Sequence, residues 1–383
     1  MVRQAQNRRG SSTVADFCAA MEGIAPTALA QDWDNVGLLA GGPAAPVRRV
    51  LLCIDLAPAV VAEAVKKRAN LVLAYHPPIF KPIKSLRADS RGTDAVVFEC
   101  IRRGIAIYST HTALDAADGG TNDVLASLCG IEQTEPLEYV DDPSGISDGP
   151  KFKLAVFVPA GEVERVAEAM FEAGAGRIGD YTKCAFRTAG HGSFFGSEST
   201  KPTLGRKGRL EFVDEVRLET IVPGRVLPDV IRAMLRTHSY EEPAFDIYPL
   251  KTPPARGIGR VGNLPRPVTL GSLAGKLKRA TGAACVQLVG PRGRKVERAA
   301  IVAGSAGDLP FRVKLSAADV IVTGEIRHHD ALTIQRSGAA AIALGHWASE
   351  KPVLRVLAQR LVALLPSVRV GESRVDADPL AAV

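Results

Sequence analysis

Histidines and carboxylates in this chain gather just beyond short apolar runs of strand character. His76 follows NLVLAY, His111 follows IAIYST, His328 and His329 closely follow DVIVTGE, and His346 ends AAIALGH. Carboxylates share these positions. Asp55 closes LLCID, Asp115 lies in THTALDAADGG, Glu325 closes DVIVTGE, and Glu350 stands four residues after His346. Four residues span about one helical turn, so a helix starting near His346 puts its imidazole and the Glu350 carboxylate on one face. Mixed imidazole and carboxylate ligands suit zinc, iron, manganese or a similar divalent ion. Taken alone, His346 and Glu350 also fit a solvated surface pair. The shared strand-end placement of the other groups favours a site.

Such groups need a scaffold that brings strand ends together. Residues 48–130 alternate strand and helix patterns: strand RRVLLCIDL, helix APAVVAEAVKKRA, strand NLVLAY, helix TDAVVFECIRRG, strand IAIYST, and a short helix TNDVLASLCG that Thr121 caps and Gly130 ends. Residues 298–365 repeat the texture, with strands RAAIVAG, DVIVTGE and AAIALGH, a helix over 326–336 and a long helix over 349–365. Near-continuous apolar strands separated by helices predict an α/β fold with mixed, largely parallel sheets covered on both faces. Ligands of such sheets bind beyond the carboxyl ends of the strands. The two halves are expected to contribute to one architecture.

The middle of the chain differs. Strand FKLAVFVP leads to an amphipathic helix VERVAEAMFEAG, turns in GSFFGSEST, a charged strand RLEFVDEVRLETIV, a helix LPDVIRAMLRTH and the segment EEPAFDIYPL. A β-α-β-β-α-β order predicts a small ferredoxin-like α+β domain. Turn-rich DDPSGISDGP and KTPPARGIG mark its edges. Residues 151–252 therefore read as an insert into a discontinuous domain formed by 1–150 and 253–383.

At 383 residues the chain is long for one domain, and 46% hydrophobic residues suffice for a sizeable core. No run approaches the ~18 apolar residues of a membrane span. The first twelve residues, MVRQAQNRRGSS, read as a polar, basic arm without the apolar core of a secretory signal. Six scattered cysteines without a CxxC predict buried, reduced thiols and a cytoplasmic protein. The net charge of +7 permits an anionic partner without requiring one.

WDNVGLL (33–39), AYHPPIF (74–80), STHTALDAADGGTND (109–123), VTGEIRHHDAL (322–332) and GHWASEKP (345–352) together resemble the Nif3-like dinuclear metal proteins, homologues of GTP cyclohydrolase 1 type 2. The motifs run in order through both halves, and the insert resembles the PII/CutA-like domain of the longer members. The resemblance implies two ions held by a His-His pair, an Asp, and a His plus Glu near the C-terminus. On this chain those positions are His76 as second of the pair, Asp115, His346 and Glu350. Tyr75 stands where the first histidine of the pair is expected. Three roles are open to Tyr75: weak ligand, hydrogen-bond donor to a ligand, or spectator. The expectation is one firm metal site and a weaker second, hence one or two divalent ions per chain.

The resemblance further implies hydrolytic opening of the guanine imidazole ring of GTP. That chemistry needs a metal-activated water and a proton shuttle, for which His111, His329 and Glu325 are the candidates. There is no P-loop, so the phosphates of a small phosphorylated molecule would fall to Lys81 or Lys84. A ring-shaped homo-hexamer is also implied. The competing reading is a metal-containing regulatory or interaction scaffold. Nucleic acid is disfavoured as a partner, because neither an RNA-recognition signature nor a zinc finger is present, and no membrane is expected. His191 and His238 are assigned to structure or surface, and Trp33 to a turn packed on the core. Asp34 and Asn35 are candidates to reach the cavity.

Overall fold

The computed structural model describes residues 12–140, 151–250 and 256–381. Most of the N-terminal arm and most of the turn-rich edges of the insert lie outside these residues. Backbone contacts divide the chain into two compact units, Met1–Asp142 with Pro254–Val383, and Pro143–Pro253.

The larger unit opens with α1 (Val14–Ile24), whose start is a capping box between Thr13 and Asp16. Then follow β1 (Gly37–Ala40), β2 (Arg49–Cys53), α2 (Pro58–Lys66), β3 (Leu71–Ala74), α3 (Thr93–Arg102), β4 (Ala106–Ser109), α4 (His111–Ala116), α5 (Thr121–Cys129) and β5 (Glu138–Tyr139). The smaller unit comprises β6 (Lys151–Pro159), α6 (Val163–Glu172), β7 (Ala185–Phe195), β8 (Leu210–Pro223), α7 (Leu227–Thr237) and β9 (Phe245–Leu250). The larger unit resumes with β10 (Gly257–Ile258), β11 (Arg260–Thr269), α8 (Leu270–Thr281), β12 (Gln287–Val289), β13 (Lys295–Ser305), β14 (Asp319–Glu325), α9 (His328–Arg336), β15 (Ala340–Ala343), α10 (His346–Glu350), α11 (Pro352–Leu364) and β16 (Arg369–Glu372).

The larger unit holds two five-stranded mixed sheets, ordered β1-β4-β3-β2-β16 and β11-β13-β14-β15-β12. In the first, β16, β2, β3 and β4 run parallel and only β1 is antiparallel. In the second, β13, β14 and β15 are parallel between antiparallel edges. The two halves thus build a sheet each. The exceptions are β16, which crosses back to pair with β2, Arg369 opposite Arg49, and β5 and β10, which form a two-stranded antiparallel sheet between the halves.

Both faces of the first sheet are buried, and strand alternation assigns its side chains to them. Leu52, Leu73 and Tyr108 pack with Phe17 and Met21 of α1 and Leu354, Leu357 and Leu361 of α11. Leu51, Val72 and Ile107 face the other way, onto Val60 and Val61 of α2 and Val97 and Cys100 of α3. Each such buried side chain contributes about 1.5–3 kcal/mol. The unbroken apolar runs read in the sequence are therefore strands covered on two sides.

The smaller unit is one antiparallel sheet, β7-β8-β6-β9, against which α6 and α7 bury Val166, Met170, Val230 and Met234.

Three local expectations are corrected. The segment Gly192–Phe195, read as turns, is the end of β7, paired with β8 on one side and largely exposed, so apolar alternation is weak there. The single long helix over 349–365 is two helices, α10 and α11, the second begun by Pro352, whose fixed φ suits a first helical turn. Thr121 is the first residue of α5 rather than its cap, a position that Gly120 holds.

Candidate metal centre

The carboxyl ends of strands from both sheets deliver the site. His76 lies two residues past β3, His111 opens α4 directly after β4, Glu325 ends β14, and His346 opens α10 just after β15. Glu350 lies one turn further along α10, and the predicted shared face is realised, with His346 Nε2 3.1 Å from Glu350 Oε1. From the other sheet, His76 Nε2 comes within 3.3 Å of Glu350 Oε2. One ligand atom from each of these three residues fits within 4.8 Å of the others.

Each imidazole has its second nitrogen held. His76 Nδ1 lies 3.0 Å from Asp55 Oδ1, and His346 Nδ1 lies 3.2 Å from Glu325 Oε1. This turns both Nε2 atoms toward Glu350, as carboxylate partners do for metal-bound histidines. Behind Asp55, Asp376 accepts hydrogen bonds from Ile54 N at 2.7 Å and Trp347 Nε1 at 3.3 Å. One carboxylate after β16 thus ties the Asp55 loop, which orients His76, to the helix that carries His346 and Glu350.

The residues fit a divalent cation. Glu350 is 4% exposed, and its Oε2 has no hydrogen-bond partner, the His76 contact being an ion pair outside hydrogen-bonding geometry. A buried carboxylate oxygen left so is costly unless a cation meets it. The electrostatics agree. Burial disfavours charge on His76, yet Asp55 and Glu350 outweigh it and hold the imidazole up to about 10. Hydrogen bonding to Glu350 raises His346 despite burial. Burial pushes Glu350 up, but the two imidazoles bring it below the ordinary carboxylate value. A field that favours positive charge on the imidazoles also favours a metal ion between them.

Backbone makes room for this cluster. Gly304, at φ +63, sits so close that a Cβ there would come 2.3 Å from Glu350 Oε1 and 3.1 Å from His346 Nε2. Its N–H donates to Ser349 Oγ at 2.8 Å, and Ser349 Oγ donates to His346 O at 2.7 Å.

The remaining predicted residues take other places. Tyr75 is fully buried, donates its hydroxyl hydrogen to Asp115 Oδ1 and accepts from Thr121 Oγ1 at 3.2 Å. Asp115 is not one of the three clustered residues, and its backbone carbonyl is held by Asn122 Nδ2 at 3.0 Å. Burial pushes the Asp115 carboxyl up to about 6 despite the Tyr75 bond, and burial together with the charges of Asp115 and Glu350 keeps the phenol well above its ordinary value. Tyr75 thus spends its hydroxyl hydrogen on Asp115.

His111 stands beside the cluster, its ring centroid 5.3 Å from that of His76. Its backbone has φ +22, a region that non-glycine residues rarely adopt. Asp34 holds it there, Oδ1 lying 2.9 Å from His111 Nδ1 while Oδ2 accepts from Thr112 N at 3.1 Å. These bonds outweigh burial and lower the Asp34 carboxyl. Asn35 donates to Ile79 O at 2.6 Å, joining its loop to the one after His76. Trp33, expected on the core, is 59% exposed and meets the rings of Phe80 and His111 instead.

The structure does not bring His329 to the cluster. It lies exposed on the first turn of α9, its ring 5.6 Å from that of His328. Lys81 and Lys84 are exposed in the segment after His76. In the smaller unit, His191 pairs with Asp214 at 2.7 Å on the surface and buried His238 bonds Phe157 O at 2.9 Å. Sequence reasoning missed Gly304, Ser349 and Asp376, none of which has a distinctive type or spacing. Asn122 lay in plain view in GGTND, and its Oδ1 accepts from Ala303 N at 2.9 Å.

Comparison with known proteins agrees along the whole chain. It is 37% identical over 365 residues to a Bacillus subtilis protein named GTP cyclohydrolase 1 type 2 homolog, covering 94% of this chain and 95% of that one. A Mycobacterium tuberculosis protein of the same name is 36% identical over 346 residues, 89% of each chain. The crystal structure of a Bacillus cereus protein related to NIF3 matches with a TM-score of 0.77 at 33% identity, covering 97% of this chain and 99% of that one. A family model described as Duf34/NIF3 (NGG1p interacting factor 3) matches residues 12–379, and this chain belongs to that family.

Proposed function

We propose that this chain is a metal-dependent hydrolase whose divalent ion is held by His76, His346 and Glu350. The observation that carries the reading is the Glu350 carboxylate, buried between two oriented imidazoles with one oxygen lacking a hydrogen bond. When bound, a zinc, iron or manganese ion would polarise substrate and lower the pKa of a water. Asp55 and Glu325 keep the two imidazoles turned toward that position. His111 is the candidate proton carrier, because Asp34 engages Nδ1 and leaves Nε2 for exchange, while its side chain stays 17% exposed. Glu325 positions His346.

The name shared by the relatives suggests ring-opening hydrolysis of GTP, with Lys81 and Lys84 meeting the phosphates. The test is to purify the full chain without added metal, measure ion identity, and assay GTP beside a panel of phosphorylated and peptide substrates. Turnover that chelation abolishes and His346→Ala loses is the expected result. A metal-loaded protein that turns over none of them argues for the second reading, a scaffold.

One observation favours that second reading. Phe186, Phe195 and Phe212 of β7 and β8 are 65%, 65% and 70% exposed, aromatic surface that a partner subunit could cover. It supports a homo-oligomer, by family resemblance a hexamer. The strand order of this unit supports a ferredoxin-like, PII/CutA-like insert spanning 151–252 within a discontinuous domain of 1–150 and 253–383. Six unpaired cysteines support a cytoplasmic setting, and among the described residues no helix is long and apolar enough to cross a membrane.

A further inference from the structure

We propose that Tyr75 closes the second metal position, so that the chain takes one ion and Asp115 is not a ligand. The inference rests on the metal reading above and refines it.

Tyr75 is 0% exposed and stands where the family resemblance implies an imidazole for a second ion. Its hydroxyl hydrogen goes to Asp115 Oδ1, and its oxygen accepts from Thr121 Oγ1 at 3.2 Å. A phenol offers one hydrogen and a limited acceptor capacity. With the hydrogen donated to Asp115 and a lone pair given to Thr121, the Tyr75 oxygen is committed to two protein partners. Asp115 Oδ1 is likewise engaged by that hydrogen bond. What remains is the compact set of His76, His346 and Glu350, and among the described residues the grouping that could hold an ion stops at these three.

Neighbouring structure holds the lock in place. Asp115 lies near the end of α4, with its own carbonyl fixed by Asn122 at 3.0 Å. Thr121 and Asn122 begin α5, and Asn122 also binds the backbone of Ala303 in β13, next to Gly304. Swinging Asp115 toward a second ion would strip the phenol of its acceptor inside the core, at the cost of an unsatisfied buried donor. The phenol cannot turn to follow it, because its ring is packed in the apolar cluster of the first sheet with Leu73 and Tyr108.

The test counts ions on the full-length protein by native mass spectrometry and zinc calorimetry. Wild type is expected to bind one tight zinc per chain, Tyr75→His two, and the double variant Tyr75→His with Asp115→Asn one again. Should Tyr75→His fail to fold, Asp115→Asn alone decides. It keeps the Tyr75 bond and is expected to leave zinc affinity within about threefold of wild type, against the roughly 10–100-fold that losing even a hydrogen-bond partner of a ligand typically costs. Two tight ions in wild type, or loss of zinc binding in Asp115→Asn, overturns the inference and leaves the metal reading standing. No zinc bound to folded wild type overturns both.

Discussion

Asp55 meets His76 across 3.0 Å, carboxylate oxygen to Nδ1, and so settles which ring nitrogen looks toward Glu350. The contact predicts that Asp55→Ala lowers metal affinity by roughly 10–100-fold while leaving the fold intact. Competition against a chelator of known affinity measures it. An unchanged dissociation constant would remove Asp55 from the site.

Gly304 supplies a sharper steric test. Alanine there would push a methyl to 2.3 Å from Glu350 Oε1, whereas at Gly307, also at positive φ (+54), a Cβ meets nothing within 4 Å. Both substitutions carry backbone strain of about 1 kcal/mol or more. Only Gly304→Ala is expected to lose metal as well. Thermal melts and metal content of the two variants, side by side, separate strain from ligand displacement, and equal metal content in both would refute the claim.

Glu63 makes stability depend on acid. Burial would raise its carboxyl, but hydrogen bonds from Lys67, Ser373 and the Arg374 backbone prevail and bring it to about 2 from 4.5. The folded value lies below the unfolded one, so the stabilisation is complete above pH 4.5 and drains away as pH falls toward 2. Glu63→Gln is expected to be less stable than wild type near neutrality by about 1–2 kcal/mol after solvent screening, with the difference vanishing near the acid end. Melting temperatures of both proteins across that range are the check, and a constant gap would contradict it.

Arg260 is 3% exposed and holds Asp123, the carbonyls of Gly257 and Gly259, and that of Ala117. Arg260→Ala would strip the Asp123 charge of its cation and remove a donor from each of those carbonyls, costing about 3–5 kcal/mol. Adding Asp123→Ala should recover part of the loss. Denaturant titration reads both, and a single-variant loss under about 1 kcal/mol would show the network to be incidental.

The centre of each sheet was legible because two-sided burial writes itself as continuous apolar runs, as in Leu71–Ala74 and Asp319–Glu325. His346 and Glu350 were legible because a helical turn fixes their spacing. What could not be read is whatever depends on a meeting of distant segments. Asp376 reaches Trp347 only once the chain is folded, and Gly304 is identified by the space it leaves rather than by any group it brings. Edge elements such as β7 and β12 were hidden for the opposite reason, since a strand partly in water carries little apolar signal. The Tyr75 substitution was visible in sequence, but its partner Asp115 was not recognisable as one until both sat at the ends of neighbouring elements.

The late crossing of β16 has a consequence for synthesis. Ile54 N waits for Asp376, which lies 322 residues downstream, and β2 has its outer neighbour in Arg369–Glu372. On the ribosome, the first half emerges with one strand edge unpaired and the Asp55 loop unbuttressed. The smaller unit and the whole second sheet are made before that edge is capped. Pairings of such long separation form slowly and leave strand edges open to chaperones or to neighbouring chains in the meantime.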